Sequence, residues 1–244
     1  MQIFAKTDVG KERQMNQDFY YVSTNDNVNF KLCILADGMG GYKGGGIASS
    51  LATTSAKKYI EENFNNIEHN KEELQILVKK AMEYANEVVY QKASTTEELE
   101  QMGTTLEICL IHENRAYIGH IGDSRIYRIR KDIMRRITTD HSYVEELVKD
   151  GKITREEAYF HPKKNILMKA LGCTRQIEPD IMVRGFLEND IICMCSDGLT
   201  NMLTEEEIYN IIKSDIKNAT SNLVAKANKQ GGYDNISVII IDNN

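Results

Sequence analysis

The sequence lacks long hydrophobic segments and any stretch typical of a linker. No apolar run approaches the roughly 18 residues of a membrane-spanning helix, and residues 1–13 contain no apolar core of signal-peptide length. No Pro-, Gly- or Ser-rich stretch divides the 244 residues, so we expect a single domain over residues 1–244. These absences indicate a cytoplasmic protein without a membrane partner.

An excess of positive charge is also missing. Lys and Arg number 30 against 36 Asp and Glu, which gives a net charge of −6. Binding to a phosphate backbone needs concentrated Lys and Arg. The composition therefore argues against nucleic acid as the main partner.

Cysteine is sparse, and its placement indicates neither disulfides nor a zinc site. The five cysteines form an odd, scattered set without a secretion signal, which fits reduced thiols. Cys193 and Cys195 lie two apart in an apolar run and should share one face of a strand. Without a CxxC pair or a nearby His, buried thiols are favoured there over zinc ligands.

Short apolar runs rich in Ile, Val, Leu and Cys predict buried strands. They cover residues 31–36, 105–111, 115–120, 125–129, 190–195 and 236–241. Apolar residues at consecutive positions suggest strands that are covered on both faces.

Helical patterns lie between these groups of strands. Apolar residues recur at helical spacing in residues 47–59 and 74–89, and a last helix spans roughly residues 221–229. Capping residues with Glu three positions later mark helix starts at Asn70, Ser142, Thr154 and Thr204. Grouped strands with helices between the groups are not a βαβα alternation. They predict an α+β fold of two packed, largely antiparallel sheets flanked by helices.

Five aspartates stand at the ends of strand-like runs. They are Asp18, Asp37, Asp123, Asp197 and Asp234. Two of them precede Gly, which lets the backbone approach an ion closely. Carboxylate and carbonyl oxygens suit Mg²⁺ or Mn²⁺. A single Asp-Gly is usually a turn, so the residues alone leave both a metal site and a set of turns open.

Eight short motifs, taken together, resemble one known family. They are TDVGKERQMNQD (7–18), ADGMGG (36–41), MGTTL (102–106), GDSRIY (122–127), TTDHS (138–142), KALG (169–172), CSDGL (195–199) and DNISVI (234–239). Their order and content resemble the PPM-type (type 2C) metal-dependent protein serine/threonine phosphatases in their compact bacterial form. The motifs span almost the whole chain.

The resemblance implies a four-layer α/β/β/α sandwich with a dinuclear site in a cleft at one end. The site would hold two Mg²⁺ or Mn²⁺ ions. Asp37 would bridge both, and Asp197 and Asp234 would hold the first. An activated water would hydrolyse phosphoserine and phosphothreonine in proteins, because paired divalent ions lower the pKa of water and neutralise charge on the phosphoryl group.

The resemblance also assigns more peripheral roles. The Gly38 carbonyl would bind the second ion, with Asp18 acting through water, and Asp123 with Asp197 would form a third, weaker site. Arg13, which alone would be interpreted as a solvated surface residue, would hold the substrate phosphate. A guanidinium fork pairs with phosphate in a bidentate way that Lys cannot reproduce.

One position departs from the animal members of the family. Met39 stands where they carry a His proposed as the general acid, so this chain has no acid at that position. His141 is interpreted as a structural residue at a helix start beside Ser142. Residues 143–169 correspond to the family's flap near the cleft. We expect a monomer whose phosphoprotein substrates are those of a cognate serine/threonine kinase.

Other functions remain as alternatives. The glycines of GMGGYKGGG (38–46) suggest nucleotide binding, but no GxxxxGK[ST] or placeable GxGxxG occurs. A phosphatase-like binding module without turnover should first lose its metal ligands, and these aspartates are present. An enzyme for small phosphoesters stays open, and kinetics on phosphopeptides against metabolites would decide it.

Overall fold

Eleven strands and seven α-helices occur in the computed structural model, which describes residues 1–23, 29–41 and 43–244. The strands are β1 Gln2–Asp8, β2 Asp18–Val22, β3 Lys31–Met39, β4 Gly103–Thr104, β5 Leu106–His112, β6 Arg115–Ile121, β7 Arg125–Arg130, β8 Ile133–Arg136, β9 Asp180–Gly185, β10 Ile191–Cys195 and β11 Ile236–Asp242. The helices are α1 Gly44–Asn63, α2 Lys71–Ser94, α3 Tyr143–Lys149, α4 Arg155–Phe160, α5 Asp197–Thr200, α6 Glu205–Ser214 and α7 Ala219–Lys229.

The strands form two antiparallel sheets. One has the order β1-β11-β10-β7-β8, and the other has the order β2-β3-β5-β6-β9 with β4 paired to β3. The helices α1 and α2 pack on the second sheet, while α6 and α7 pack together beside the first, which α7 contacts at β1 and β11. The predicted α+β fold with four α/β/β/α layers is therefore confirmed.

Three apolar cores separate these layers. One lies between α1, α2 and their sheet, a second lies between the other sheet and α5, α6 and α7, and a third lies between the two sheets. The strands β10 and β11 are buried along their whole length, as the consecutive apolar residues predicted. Cys193 and Cys195 are buried free thiols on one face of β10, also as predicted.

Three edge strands, β1, β8 and β9, were missing from the sequence prediction, as was the two-residue β4, and the fourth edge strand, β2, was indicated only by Asp18 at its start. Each of the three forms the outer edge of a sheet, and each is only partly buried. An edge strand needs less apolar surface, so polar and charged residues interrupt its pattern. The six predicted strands all appear, with ends that differ by at most a few residues.

Helix starts follow the predicted capping residues. The side chains of Asn70, Ser142, Thr154 and Thr204 each accept a hydrogen bond from the backbone N–H three residues later. At Thr154 and Thr204 the Glu side chain also bonds back to the cap, which completes the capping box. Among the described residues, no helix is both long and apolar enough to cross a membrane.

Candidate metal centre

The first two aspartates of the candidate site face each other across neighbouring strands. Asp18 begins β2 and pairs in register with Asp37 near the end of β3. Asp18 is buried, and Asp37 is partly exposed. The N–H of Gly38 donates to the Gln17 carbonyl at 3.2 Å, so the two chain segments are held together beside the carboxyl groups.

Asp197 and Asp234 come together at the matching end of the other sheet. Asp197 follows β10, and Asp234 precedes β11, the strand paired with β10. A Cβ on Gly198 would lie 2.0 Å from the Asn235 carbonyl oxygen and 3.4 Å from the Asp234 Cβ. Only glycine allows this close approach, which explains the Asp-Gly pair at residues 197 and 198.

Asp123 lies in the connection between β6 and β7, and its electrostatic neighbours are Asp197, Asp140 and Glu107. Arg125, two residues later, is held by Asp140 through bonds from Nε and Nη2 at 3.1 and 2.7 Å to Oδ2. Burial and this negative surrounding raise the pKa of Asp123 well above its usual value. The loop therefore adds a fifth carboxyl group to the same region.

Asp37 is the centre of this group. Burial raises its pKa well above the usual range, and the charges of Asp18, Asp197, Asp123 and Asp234 add to the effect. Acidic side chains that raise one another's pKa cannot all stay ionised at neutral pH without cations, which fits a site for divalent ions.

The surroundings of Asp18 test whether a hard cation fits. Its Oδ2 accepts bonds from the hydroxyls of Ser196 at 2.9 Å and Ser237 at 2.6 Å. Its Oδ1 is buried and has no hydrogen-bond partner. Burial raises the pKa of Asp18 to about 6. A buried, unpartnered carboxylate oxygen fits a hydrated Mg²⁺ or Mn²⁺, which would supply both the missing partner and the missing positive charge.

The carboxyl groups lie in one region without converging on a single point. Within residues 1–23, 29–41 and 43–244, no three His, Cys, Asp or Glu side chains form a preformed cluster around a single metal position. The individual ligand sets therefore stay predictions.

One known protein family matches most of the chain. The model of the protein phosphatase 2C family matches residues 9–231. The chain belongs to the protein phosphatase 2C family. Protein phosphatase PhpP of Streptococcus pneumoniae is 39% identical to this phosphatase 2C member over 249 residues, which cover 100% of the chain and 98% of the relative. The serine/threonine phosphatase stp of Listeria innocua is 36% identical over 241 residues, with 98% and 94% covered.

Solved structures of bacterial phosphatases share the fold of this phosphatase 2C member. The serine/threonine phosphatase PstP/Ppp of Mycobacterium tuberculosis has a TM-score of 0.88 and 31% identity, over 99% of this chain and 97% of that one. A structure of the PstP catalytic domain in complex with two manganese ions has a TM-score of 0.86 and 30% identity, again over 99% and 97%.

Arg13, the proposed phosphate ligand of this phosphatase 2C chain, lies at the edge of the carboxyl group cluster. Its Nη2 donates to Asp234 Oδ2 at 2.8 Å, and its side chain is about half exposed. An exposed ion pair contributes little, roughly 0–1 kcal/mol, so the guanidinium can turn toward an incoming phosphate at small cost. The structure thus places Arg13 in contact with Asp234, a residue that sequence reasoning treated separately.

Asn235 positions the loop that carries Arg13, a role that sequence reasoning missed. Its side-chain amide donates to the carbonyls of Val9 at 2.9 Å and Met15 at 3.0 Å, and its Oδ1 accepts from the Gln17 N–H at 2.8 Å. Its place directly after Asp234 in DNISVI was the available signal. The hydroxyls of Ser196 and Ser237 were missed as well, although Ser196 directly precedes Asp197 and Ser237 lies two residues after Asn235.

His141 has a structural setting, which agrees with its interpretation from sequence. Its Nδ1 accepts from the Gly122 N–H at 3.2 Å, and its Nε2 lies 3.5 Å from Asp180 Oδ2. Burial lowers its pKa to about 4. A neutral ring that braces the Asp123 loop explains these contacts.

Residues 143–169, the predicted flap, contain α3 and α4 and line a cavity of about 290 Å³ together with Asp123 and Asp197. Asp123 and Asp197 line one side of this cavity, and Arg155 and Tyr159 line the flap side. The Tyr159 hydroxyl donates to the Asn201 carbonyl at 3.1 Å, which connects the flap to the end of α5. The cavity gives the carboxyl groups an approach from solvent.

Proposed function

We propose that this chain hydrolyses phosphoserine and phosphothreonine in proteins, with a water activated at a dinuclear Mg²⁺ or Mn²⁺ site. As a member of the protein phosphatase 2C family it is a protein serine/threonine phosphatase. One observation supports the metal chemistry above the others: the charges of Asp18, Asp123, Asp197 and Asp234, from four other segments, all act on the Asp37 carboxyl group, and Asp18 pairs in register with Asp37. A function without cations gives no reason for this concentration of charge.

We assign the ligands as the family resemblance implies. Asp37 would bridge two ions, Asp197 and Asp234 would hold the first, and the Gly38 carbonyl and Asp18 would hold the second, Asp18 through water. Asp123 would contribute with Asp197 to a third, weaker site. When bound, such ions lower the pKa of water and neutralise charge on the phosphoryl oxygens. The two manganese ions of the related PstP structure support two core ions in this chain.

The chain's own residues supply orientation. The Arg13 fork would bind two phosphate oxygens in place of its bond to Asp234 and so align the ester for in-line attack. Asn235 would keep the Arg13 loop in position, and the hydroxyls of Ser196 and Ser237 would keep Asp18 ionised and directed into the cleft. Met39 carries no transferable proton, so its position supplies no general acid.

The wider biological setting is proposed by analogy with the relatives. We propose a monomeric, single-domain enzyme of the cytoplasm that reverses the action of a cognate serine/threonine kinase, with the flap at residues 143–169 beside the substrate. The cavity between the flap and the carboxyl groups supports a peptide substrate, since it offers both acidic and basic side chains to residues that flank the phosphate.

Hydrolysis of a phosphothreonine peptide with and without Mn²⁺ tests the function. Wild type should release phosphate only with the metal, and Asp37→Asn should lose this activity. Asp132→Asn is a matched control, because Asp132 is an exposed aspartate that pairs with Lys213 outside the site. Activity that persists in EDTA would contradict the metal mechanism, and no turnover under any condition would favour a binding module. A preference for small phosphoesters over the peptide would contradict the substrate class.

A further inference from the structure

A buried acid and a buried histidine lie behind the aspartate site and have no place in the mechanism above. Glu107 on β5 and His120 on β6 are directly opposite each other in the sheet. Both side chains are fully buried, and His120 Nδ1 lies 3.0 Å from Glu107 Oε1. Burying an ionisable pair inside a sheet costs free energy unless its polar atoms have hydrogen-bond partners. The partners of Glu107 and His120 therefore indicate what the pair does.

The contacts of His120 fix the number of protons in this pair. Its Nε2 lies 2.9 Å from the Thr139 carbonyl oxygen, which can only accept, so Nε2 carries a proton. An unprotonated Nδ1 and an ionised carboxylate are both acceptors and would repel each other. One proton must therefore lie between Nδ1 and Oε1. Burial raises the pKa of Glu107 and lowers the pKa of His120, which favours the form with a neutral acid and a neutral ring.

The other oxygen of Glu107 leads to the candidate metal ligands. Thr105 Oγ1 donates to Glu107 Oε2 at 3.2 Å and accepts the Asp37 N–H at 3.0 Å. It also lies 3.0 Å from Ser124 Oγ, in the loop that carries Asp123. Because the single Thr105 proton is used toward Glu107, Ser124 must be the donor. The Thr105 N–H donates in addition to the Asp37 carbonyl at 2.9 Å.

We propose that Glu107 and His120 are positioning residues for the metal site. The proton that they share makes Glu107 Oε2 an acceptor, which orients the Thr105 hydroxyl so that it accepts from Asp37 and Ser124. These hydrogen bonds thereby hold the Asp37 backbone and the loop that carries Asp123 in fixed positions relative to each other. This inference rests on the proposed dinuclear site. It assigns a role to two residues outside the ligand set, whose removal should weaken metal binding rather than only the fold.

Calorimetric titration of the metal-free protein with Mn²⁺ tests this role without using activity. Glu107→Gln keeps a donor for His120 and an acceptor for Thr105, so its affinity should stay within about twofold of wild type. Glu107→Met keeps length but no polar atom, and should weaken the affinity by about 10-fold or more. Leu110→Ala is the matched control on the same strand: it removes buried core volume outside the network and should lower the unfolding temperature while keeping the affinity.

Several results would overturn the proposal. A folded Glu107→Met protein with wild-type affinity would do so, and so would an equal loss of affinity in Leu110→Ala. If Glu107→Met does not fold, Thr105→Val and Thr105→Ser take its place: the Val variant should bind Mn²⁺ weakly and the Ser variant normally, and equal affinities would contradict the role.

A second readout does not depend on the metal. The ¹⁵N spectrum of metal-free wild type should show His120 protonated at Nε2, and an unprotonated Nε2 would remove the basis of the shared proton. Wild type that binds no Mn²⁺ at all would overturn the proposed metal site together with this inference, whereas the other results would overturn the positioning role alone.

Discussion

Replacing Asp37 by Asn should change stability in opposite directions with and without metal. In the metal-free protein, burial and the charges of four other aspartates raise the pKa of the Asp37 carboxyl group well above the usual value. A neutral Asn removes this cost. With Mn²⁺ present the variant should lack the bridging ligand and lose the stabilisation that wild type gains.

The buried neighbour Asp18 gives the scale of the first effect. Burial raises its pKa from 3.8 to about 6, and a shift of about two pKa units corresponds to roughly 3 kcal/mol. Because the folded-state pKa is raised, the penalty is absent below the unfolded value and fully present above pH 6. At pH 8 we therefore expect Asp37→Asn to stabilise the metal-free protein by about 1–3 kcal/mol, or roughly 2–12 °C in Tm at about 2–4 °C per kcal/mol.

The second effect follows from linkage. Mn²⁺ at about 100 times its Kd should stabilise wild type by roughly 2.7 kcal/mol per site, and Asp37→Asn should gain much less. Thermal unfolding at pH 8 in EDTA measures the first effect, and the same measurement in Mn²⁺ measures the second. The control Asp132→Asn should have the unfolding temperature of wild type under both conditions. A variant that is less stable than wild type in EDTA, or that keeps the full Mn²⁺ shift, would refute the reasoning.

Three further outcomes are expected at other positions. Asp140→Asn should lower the free energy of unfolding in urea by about 3–5 kcal/mol, because it strips the mostly buried partner of Arg125 and Arg136; a loss below about 1 kcal/mol would contradict this. Arg13→Lys should raise KM for a phosphopeptide more than it lowers kcat, since Lys cannot form the bidentate contact, and unchanged kinetics would exclude a phosphate role. Met39→His should leave turnover roughly unchanged or alter only its pH profile, and a large gain in rate would show that an acid is missing there.

The fold could be predicted from sequence wherever burial is nearly complete. The strands β3, β5, β6, β10 and β11 bury most or all of their residues, so their apolar runs are continuous. The sequence pattern did not reveal the edge strands, because their half-exposed positions tolerate charged residues, as in the Arg-rich β8. Capping residues marked four helix starts, because a side-chain acceptor there satisfies first-turn N–H groups locally, whereas α1, α5 and α7 begin without one and gave no such signal.

The acidic residues of the candidate site could be predicted from the sequence, but the side chains that position them could not. Strand-end position and the family motifs pointed to the aspartates. The roles of Ser196 and Ser237 depend on the register that brings β10, β11 and β2 together, which the local sequence does not contain. Glu107 is a single acid in the apolar run LEICLI, and only its pairing with β6 reveals His120 as its partner. Tertiary register, rather than composition, determines these contacts.

The most direct test of the metal site is the position of Mn²⁺ in crystals soaked with the ion. Anomalous difference maps should show two ions beside the Asp37 carboxyl group, with Asp197 and Asp234 on one of them, and crystals of Asp37→Asn should lose both. Ions bound elsewhere, or two ions that remain in the variant, would contradict the account.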